Sequence, residues 1–120
     1  MTETYIKKVA KIKVTLNLSG DKSITHRAII LGSIAQGETI VDNFSISNDC
    51  SVTIKAFRDL GILIESSNKI LSVHGKGLYG LKPPKNELYM GASGTSIRLL
   101  AGILSGQNFE SVLKGDESLS

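Results

Sequence analysis

The sequence predicts an α/β (α+β) fold, in the order β-α-β-α-β-β followed by a second β-α-β that is begun and not finished. Three observations predict it. Polar and apolar residues alternate over 11–18, and shorter apolar runs follow farther on, which is the period of strands. Apolar residues recur at helical spacing over 23–36 and 95–105. Gly37, Gly61 and Gly106 stand where the helical patterns stop, the place a helix C-cap favours glycine.

Each element has its own warrant. Ile12, Val14, Leu16 and Leu18 share one face of a half-buried strand. After a Ser-Gly-Asp loop, Ile24, Ala28, Leu31 and Ala35 mark the inward face of the first helix. Glu38–Phe44 reads as a strand. Ser47, Asn48 or Asp49 caps a helix carrying Val52, Ala56, Phe57 and Leu60. Strands near 62–65 and 69–74 flank a turn at Ser66-Ser67-Asn68. Glycines and prolines make 75–85 a loop, and a brief strand lies near 86–90. Ile97, Leu100, Ala101 and Leu104 give the last helix its stripe, and Phe109–Leu113 is a last strand. No closing element follows Lys114, so the chain is expected to be a piece of something longer.

Composition narrows the function classes. Among 120 residues, 41% are hydrophobic and only 5% aromatic, so the core is aliphatic. The longest apolar runs fall far short of the roughly 20 residues that span a bilayer. Residues 1–4 lack the basic start and apolar run of a signal peptide. A single cysteine, Cys50, excludes an internal disulfide and has no companions for a zinc site; a small buried filler is its expected role. These features point to the cytoplasm, with no membrane, metal or cofactor. The net charge of +3 suits anionic small molecules; its lysines and arginines form no stripe with aromatics, as nucleic-acid binders have.

Two stretches carry candidate chemistry. Gly20-Asp21-Lys22-Ser23 opens the first helix, with Arg27 one turn in. Unpaired N–H groups at a helix start attract anions. Ser23 can cap the helix or bind an anion, Lys22 adds full charge, and Arg27 offers a fork suited to phosphate or carboxylate. Gly91-Ala92-Ser93-Gly94-Thr95-Ser96-Ile97-Arg98 repeats the arrangement, Arg98 standing 71 residues after Arg27. There Thr95 or Ser96 is the expected cap. The spacing is not that of a phosphate-binding loop, since Leu16 occupies the upstream glycine position. Asp49 reads as a helix cap, and His26 and His74 as structural or exposed.

Taken together, Leu18-Ser19-Gly20-Asp21-Lys22-Ser23-Ile24-Thr25-His26-Arg27-Ala28, Gly37-Glu38-Thr39, Ser47-Asn48-Asp49, Leu60-Gly61, the run from Gly91 to Leu99, and Gly115-Asp116-Glu117-Ser118-Leu119 resemble the opening blocks of the 5-enolpyruvylshikimate-3-phosphate synthases. The resemblance implies βαβαββ units of the enolpyruvyl transferase inside-out α/β barrel, with the first unit and part of the second present. Residues 1–18 would pair with the family's other domain, absent here, and 19–120 would begin the domain that binds shikimate 3-phosphate. It implies transfer of the enolpyruvyl group of phosphoenolpyruvate to the 5-hydroxyl of shikimate 3-phosphate, in the synthesis of chorismate and aromatic amino acids, at a site glyphosate also occupies. The parent would be monomeric, and this piece alone inactive.

By the same resemblance, Lys22 is catalytic and touches both substrates, and Ser23 and Arg27 hold shikimate 3-phosphate. Gly94 and Thr95 line the phosphoenolpyruvate pocket, with Asp49 and Arg98 in support. Three positions depart from the family pattern: Ala92 replaces an Asn, Asp21 adds negative charge beside an anion site, and His26 stands where Asn is common. Two other readings compete. The sister enzyme acting on UDP-N-acetylglucosamine has Asn after the lysine, where Ser23 stands here. A non-catalytic anion- or RNA-binding module would show steep salt dependence and indifference to shikimate 3-phosphate.

Overall fold

The computed structural model describes residues 2–119; Met1 and Ser120, the outer ends of the two expected regions, lie outside the described residues. Three helices are each met at their start by a polar cap. Helix α1 (Lys22–Ile34) begins at Asp21, α2 (Asn48–Asp59) at Ser47, and α3 (Gly94–Ser105) at Ser93. Strands β1 (Gln36–Asp42), β2 (Leu63–Ser67) and β3 (Ile70–Lys76) form an antiparallel sheet in the order β1-β3-β2. Short strands β4 (Leu88–Tyr89) and β5 (Leu113–Lys114) pair in parallel, with α3 as the crossover between them.

Strands β2 and β3 make a hairpin whose two turn residues, Asn68 and Lys69, both take positive φ (49° and 62°). That geometry matches the right-handed twist of the flanking strands, and asparagine tolerates it well. Alternation along β3 sends Leu71 and Val73 into the core and leaves Ser72 and His74 on the open face. Helix α2 lies at the centre of the fold, its Ile54, Ala56 and Phe57 buried together with Leu60, Ile64, Leu88, Met90, Leu100 and Leu104. Phe57 is the largest fully buried side chain, and Cys50 is a buried free thiol, as expected.

Several expectations are corrected. Residues 11–18 form no strand: they join neither sheet of the described residues, and Ile12, Val14, Leu16 and Leu18 are all exposed. A strand without a ladder partner has nothing to hold it. Helix α1 buries Thr25, His26, Ile29, Ile30, Gly32 and Ser33, so the expected inward face is the outward one, with Ile24 and Leu31 about 60% exposed. Its C-cap is Ala35, and Gly37 instead takes φ +99° inside β1. The loop after β3 starts later than expected, because β3 continues through Gly75 and Lys76. The last strand is shorter than expected, and an unforeseen 3-10 turn covers Glu117–Leu119.

Close backbone contact explains β3's Gly75. A Cβ there would lie 2.1 Å from the Gly32 carbonyl oxygen and 2.3 Å from that of Ala35, so α1 sits directly on the strand. Gly102 on α3 has open space around it. Gly75→Ala is therefore expected to destabilise the chain by about 2 kcal/mol through overpacking, and Gly102→Ala to stabilise it by about 0.5–1 kcal/mol through helix propensity. Urea unfolding midpoints of the two variants check both signs.

Candidate functional site

The first loop is set by a glycine and an acid. A Cβ on Gly20 would fall 2.0 Å from the Asn43 carbonyl oxygen, so only glycine lets the chain pass there. The Asn43 side chain donates to the Leu18 carbonyl at 3.1 Å, pinning the approach to α1. Asp21, not Ser23, caps the helix: its carboxylate accepts from the Ile24 amide at 2.8 Å. Asp21 thereby takes up part of the anion-attracting helix start. Ser23 and Arg27 are exposed, and neither side chain makes a hydrogen bond among the described residues.

Lys22 donates to Asp49 at 3.0 Å, joining the starts of α1 and α2. Asp49 was expected to cap α2; Ser47 does so, accepting from the Cys50 amide at 3.4 Å, which leaves the Asp49 carboxylate for the lysine. That hydrogen bond and the carboxylate's charge hold the Lys22 ammonium above its ordinary pKa. Lys22 is therefore a firm cation at neutral pH and is not poised to lose its proton.

The second loop turns on Gly91, whose φ of +54° is a left-handed conformation. Ser93 then caps α3, accepting from the Ser96 amide at 3.2 Å; neither Thr95 nor Ser96 is the cap. Thr95 is exposed and Gly94 half-buried at the helix start. Arg98 folds back over the loop, its Nη1 standing 3.1 Å from where a Cβ on Gly94 would be. The arginine thus lies against the loop it was expected to support.

The two loops are tied together beneath the surface. His26 Nδ1 lies 2.8 Å from Thr53 Oγ1, Thr53 Oγ1 lies 2.7 Å from Ser96 Oγ, and Ser96 Oγ lies 2.7 Å from Ser93 Oγ. Ser96 Oγ also lies 3.4 Å from the Asp49 carbonyl oxygen, and the Cys50 thiol donates to the Lys22 carbonyl at 3.6 Å. All four string residues are buried. Because every link joins first or second turns, the three helices begin at one end of the molecule. Lys22, Ser23, Arg27, Gly94, Thr95 and Arg98 surround that end, where three sets of helix-start N–H groups add positive potential. A groove of about 430 Å³ lined by Lys55, Arg58, Lys82 and Lys85 lies at the other end of α2, away from these residues.

Sequence reasoning missed the role of His26, Thr53, Ser93 and Ser96. A signal was present. Thr53 falls on the inward stripe of α2 beside Cys50, Ala56 and Phe57, where a hydroxyl must find a partner.

These features define an α/β unit with two loops at converging helix starts. The comparisons then identify its family. The family model for EPSP synthase (3-phosphoshikimate 1-carboxyvinyltransferase) matches residues 6–120, and the chain belongs to that family. A 3-phosphoshikimate 1-carboxyvinyltransferase of Streptococcus suis is 53% identical over 93% of this chain and 26% of its own length. One from Legionella pneumophila is 50% identical over 94% of this chain and 26% of its own length. The EPSP synthase structure from Acinetobacter baumannii superposes with a TM-score of 0.84 at 51% identity, covering 88% of this chain and 24% of that one. The chain thus spans about a quarter of the length of these relatives.

Burial pushes the His26 pKa below its ordinary value of 6.5; the Asp49 charge works against that shift and Lys22 adds to it. Unfolding exposes the ring, so between the lowered folded value and the ordinary one the unfolded chain binds the proton more readily. Stability is complete above the ordinary value and falls with pH through that window. The urea midpoint is expected to drop as pH is lowered from about 7 to about 5.5. The His26→Asn variant is expected to lose that slope.

Proposed function

We propose that this chain supplies one wall of an enolpyruvyl-transfer site, holding shikimate 3-phosphate on its first loop and phosphoenolpyruvate against its second. The observation that carries the reading is the placement of Lys22, Ser23 and Arg27 at a helix start with Ser23 and Arg27 uncommitted. Two cations and a hydroxyl within one turn suit a phosphate or carboxylate. The relatives are 3-phosphoshikimate 1-carboxyvinyltransferases, and both substrates of that reaction are multiply charged anions. Arg27 and Ser23 grip shikimate 3-phosphate, Lys22 reaches both substrates, and Gly94 and Thr95 let phosphoenolpyruvate approach the backbone. Asp49 aims Lys22, and Arg98 braces the second loop.

In this reading, phosphoenolpyruvate gains a proton at its methylene carbon, the 5-hydroxyl gives up its proton as its oxygen bonds to the adjacent carbon, and phosphate then leaves as the new methyl group loses a proton and the double bond reforms. The cations stabilise charge that develops on the phosphate and carboxylate oxygens. Acid–base groups come from the part of the relatives' length that this chain does not span. Residues 19–120 belong to the shikimate-3-phosphate domain, and 1–18 pair with that remainder. Among the described residues no helix is long and apolar enough to cross a membrane, and we place the reaction in the cytoplasm.

Amide NMR of the chain with added shikimate 3-phosphate tests the proposal. Shift changes are expected at Lys22, Ser23 and Arg27, and Arg27→Ala is expected to weaken binding at least tenfold, the order of one charged hydrogen bond. Saturable shifts confined to residues away from both loops, or no shifts up to millimolar ligand, would defeat it.

A further inference from the structure

The string His26–Thr53–Ser96–Ser93 crosses from α1 through α2 to the cap of α3, and the proposed transfer site uses none of its four residues. We infer that it is a positioning device: the hydrogen at His26 Nδ1 sets where Thr53 and Ser96 send their own, and so the surroundings of the Ser93 cap on which the second loop is built. The inference rests on the proposed function only in assigning that loop to phosphoenolpyruvate.

Each hydroxyl has one hydrogen to give, so the state of Nδ1 decides between two directions for Thr53, toward the ring or toward Ser96. With Nδ1 bare, Thr53 donates to it, Ser96 donates to Thr53, and Ser93 donates to Ser96 while accepting the Ser96 amide. Every oxygen then gives once and receives once, with all contacts between 2.7 and 3.2 Å satisfied. With Nδ1 protonated, the ring donates to Thr53 and Thr53 to Ser96. Ser96 must then turn its hydrogen toward Ser93 or toward the Asp49 carbonyl at 3.4 Å. Either way Ser96 withdraws its hydrogen from Thr53; where it gives it to Ser93, Ser93 releases its own within the second loop, and where it gives it to Asp49, Ser96 accepts from both Thr53 and Ser93.

The imidazolium permits only the second direction. His26 is 2% exposed, and burial favours the neutral ring. The charged groups acting on it are Lys22 on its own helix, which opposes protonation, and Asp49 on α2, which favours it. Helix α3 meets the string only with the neutral hydroxyls of Ser93 and Ser96. Thr53 and Ser96 are thus positioning residues that touch no substrate, and acid reverses the string they carry.

The test follows the His26 ring nitrogens and the backbone amides of the 120-residue chain by NMR from about pH 8 to about pH 5. The amides of Gly94, Thr95 and Ser96 are expected to titrate with the midpoint of the His26 ring, although ring and amides belong to different helices. Thr53→Val keeps the side-chain shape and removes the hydroxyl. It is expected to cut the titration amplitude at those amides at least threefold while the ring still titrates, and Thr53→Ser is expected to restore it. If Thr53→Val spreads its effect through loss of dispersed peaks, Ser96→Ala breaks the next link and Gly94 and Thr95 decide by the same criterion. Loop amides that follow the ring equally well without the hydroxyl overturn the inference, as do wild-type amides that stay silent while the ring titrates. No substrate is present in these samples, so a failed shikimate 3-phosphate titration leaves this outcome unaffected.

Discussion

Three helices can start at one point only if their first turns are held together against the mutual repulsion of their positive ends. Here the holding is done by hydroxyl and imidazole groups rather than by apolar packing alone. Thr53 is the hinge of that arrangement, since it touches His26 of α1 and Ser96 of α3 from the middle helix. Buried polar groups are costly unless every one is partnered, and among the described residues no buried side-chain nitrogen or oxygen is left without a partner. A satisfied string of this kind fixes relative position more sharply than interchangeable aliphatic contacts. Both loops take their geometry from it, the first through Arg27 and Lys22 flanking His26, the second through the Ser93 cap.

The acids near the site make sense in the same frame. Asp21 and Asp49 bring negative charge to an end of the molecule that is otherwise positive, yet each is committed to a group of the protein itself. Asp21 is spent as a cap on the Ile24 amide, which orders the first turn before any ligand arrives. Asp49 holds Lys22 across the gap between helices, at a position open to water on both sides of the pair. An exposed ion pair of this type is weakly bound in water, so an incoming phosphate can share or take the lysine at little cost. The lysine is thereby pre-aimed without being locked away.

Much of this was legible in the residues themselves. Glycine stops, apolar spacing and the Asn68 turn place every helix and most strands within a few residues, because those signals are local. What failed was non-local. The caps were misassigned at both loops because Ser23, Thr95 and Ser96 are all competent cap residues, and only tertiary contact decides that Asp21 and Ser93 take the position. His26 is structural, one of its two expected roles, but its partner Thr53 lies 27 residues away on another helix, beyond the reach of a local signal. The segment 11–18 carries a sound strand pattern, but a pattern supplies only one side of a ladder.

The error over α1 is the most informative of these. Its sequence supports two apolar stripes, Ile24-Ala28-Leu31-Ala35 and Ile29-Ile30 flanked by small residues, and periodicity alone gives no reason to prefer either. The structure buries the stripe with Gly32 and Ser33, because only small residues let the helix approach β1 and β3 closely enough. That leaves Ile24 and Leu31 facing water, and Ile12, Val14, Leu16 and Leu18 are exposed as well. A helix apolar on both sides belongs between two layers. This chain provides one of them, and the second layer is what the proposed larger site requires, since an anion held by Lys22 and Arg27 on an open surface would remain in competition with water. Covering that outer stripe would bring further protein to the edge of the first loop, lower the local dielectric, and strengthen each charged hydrogen bond made there.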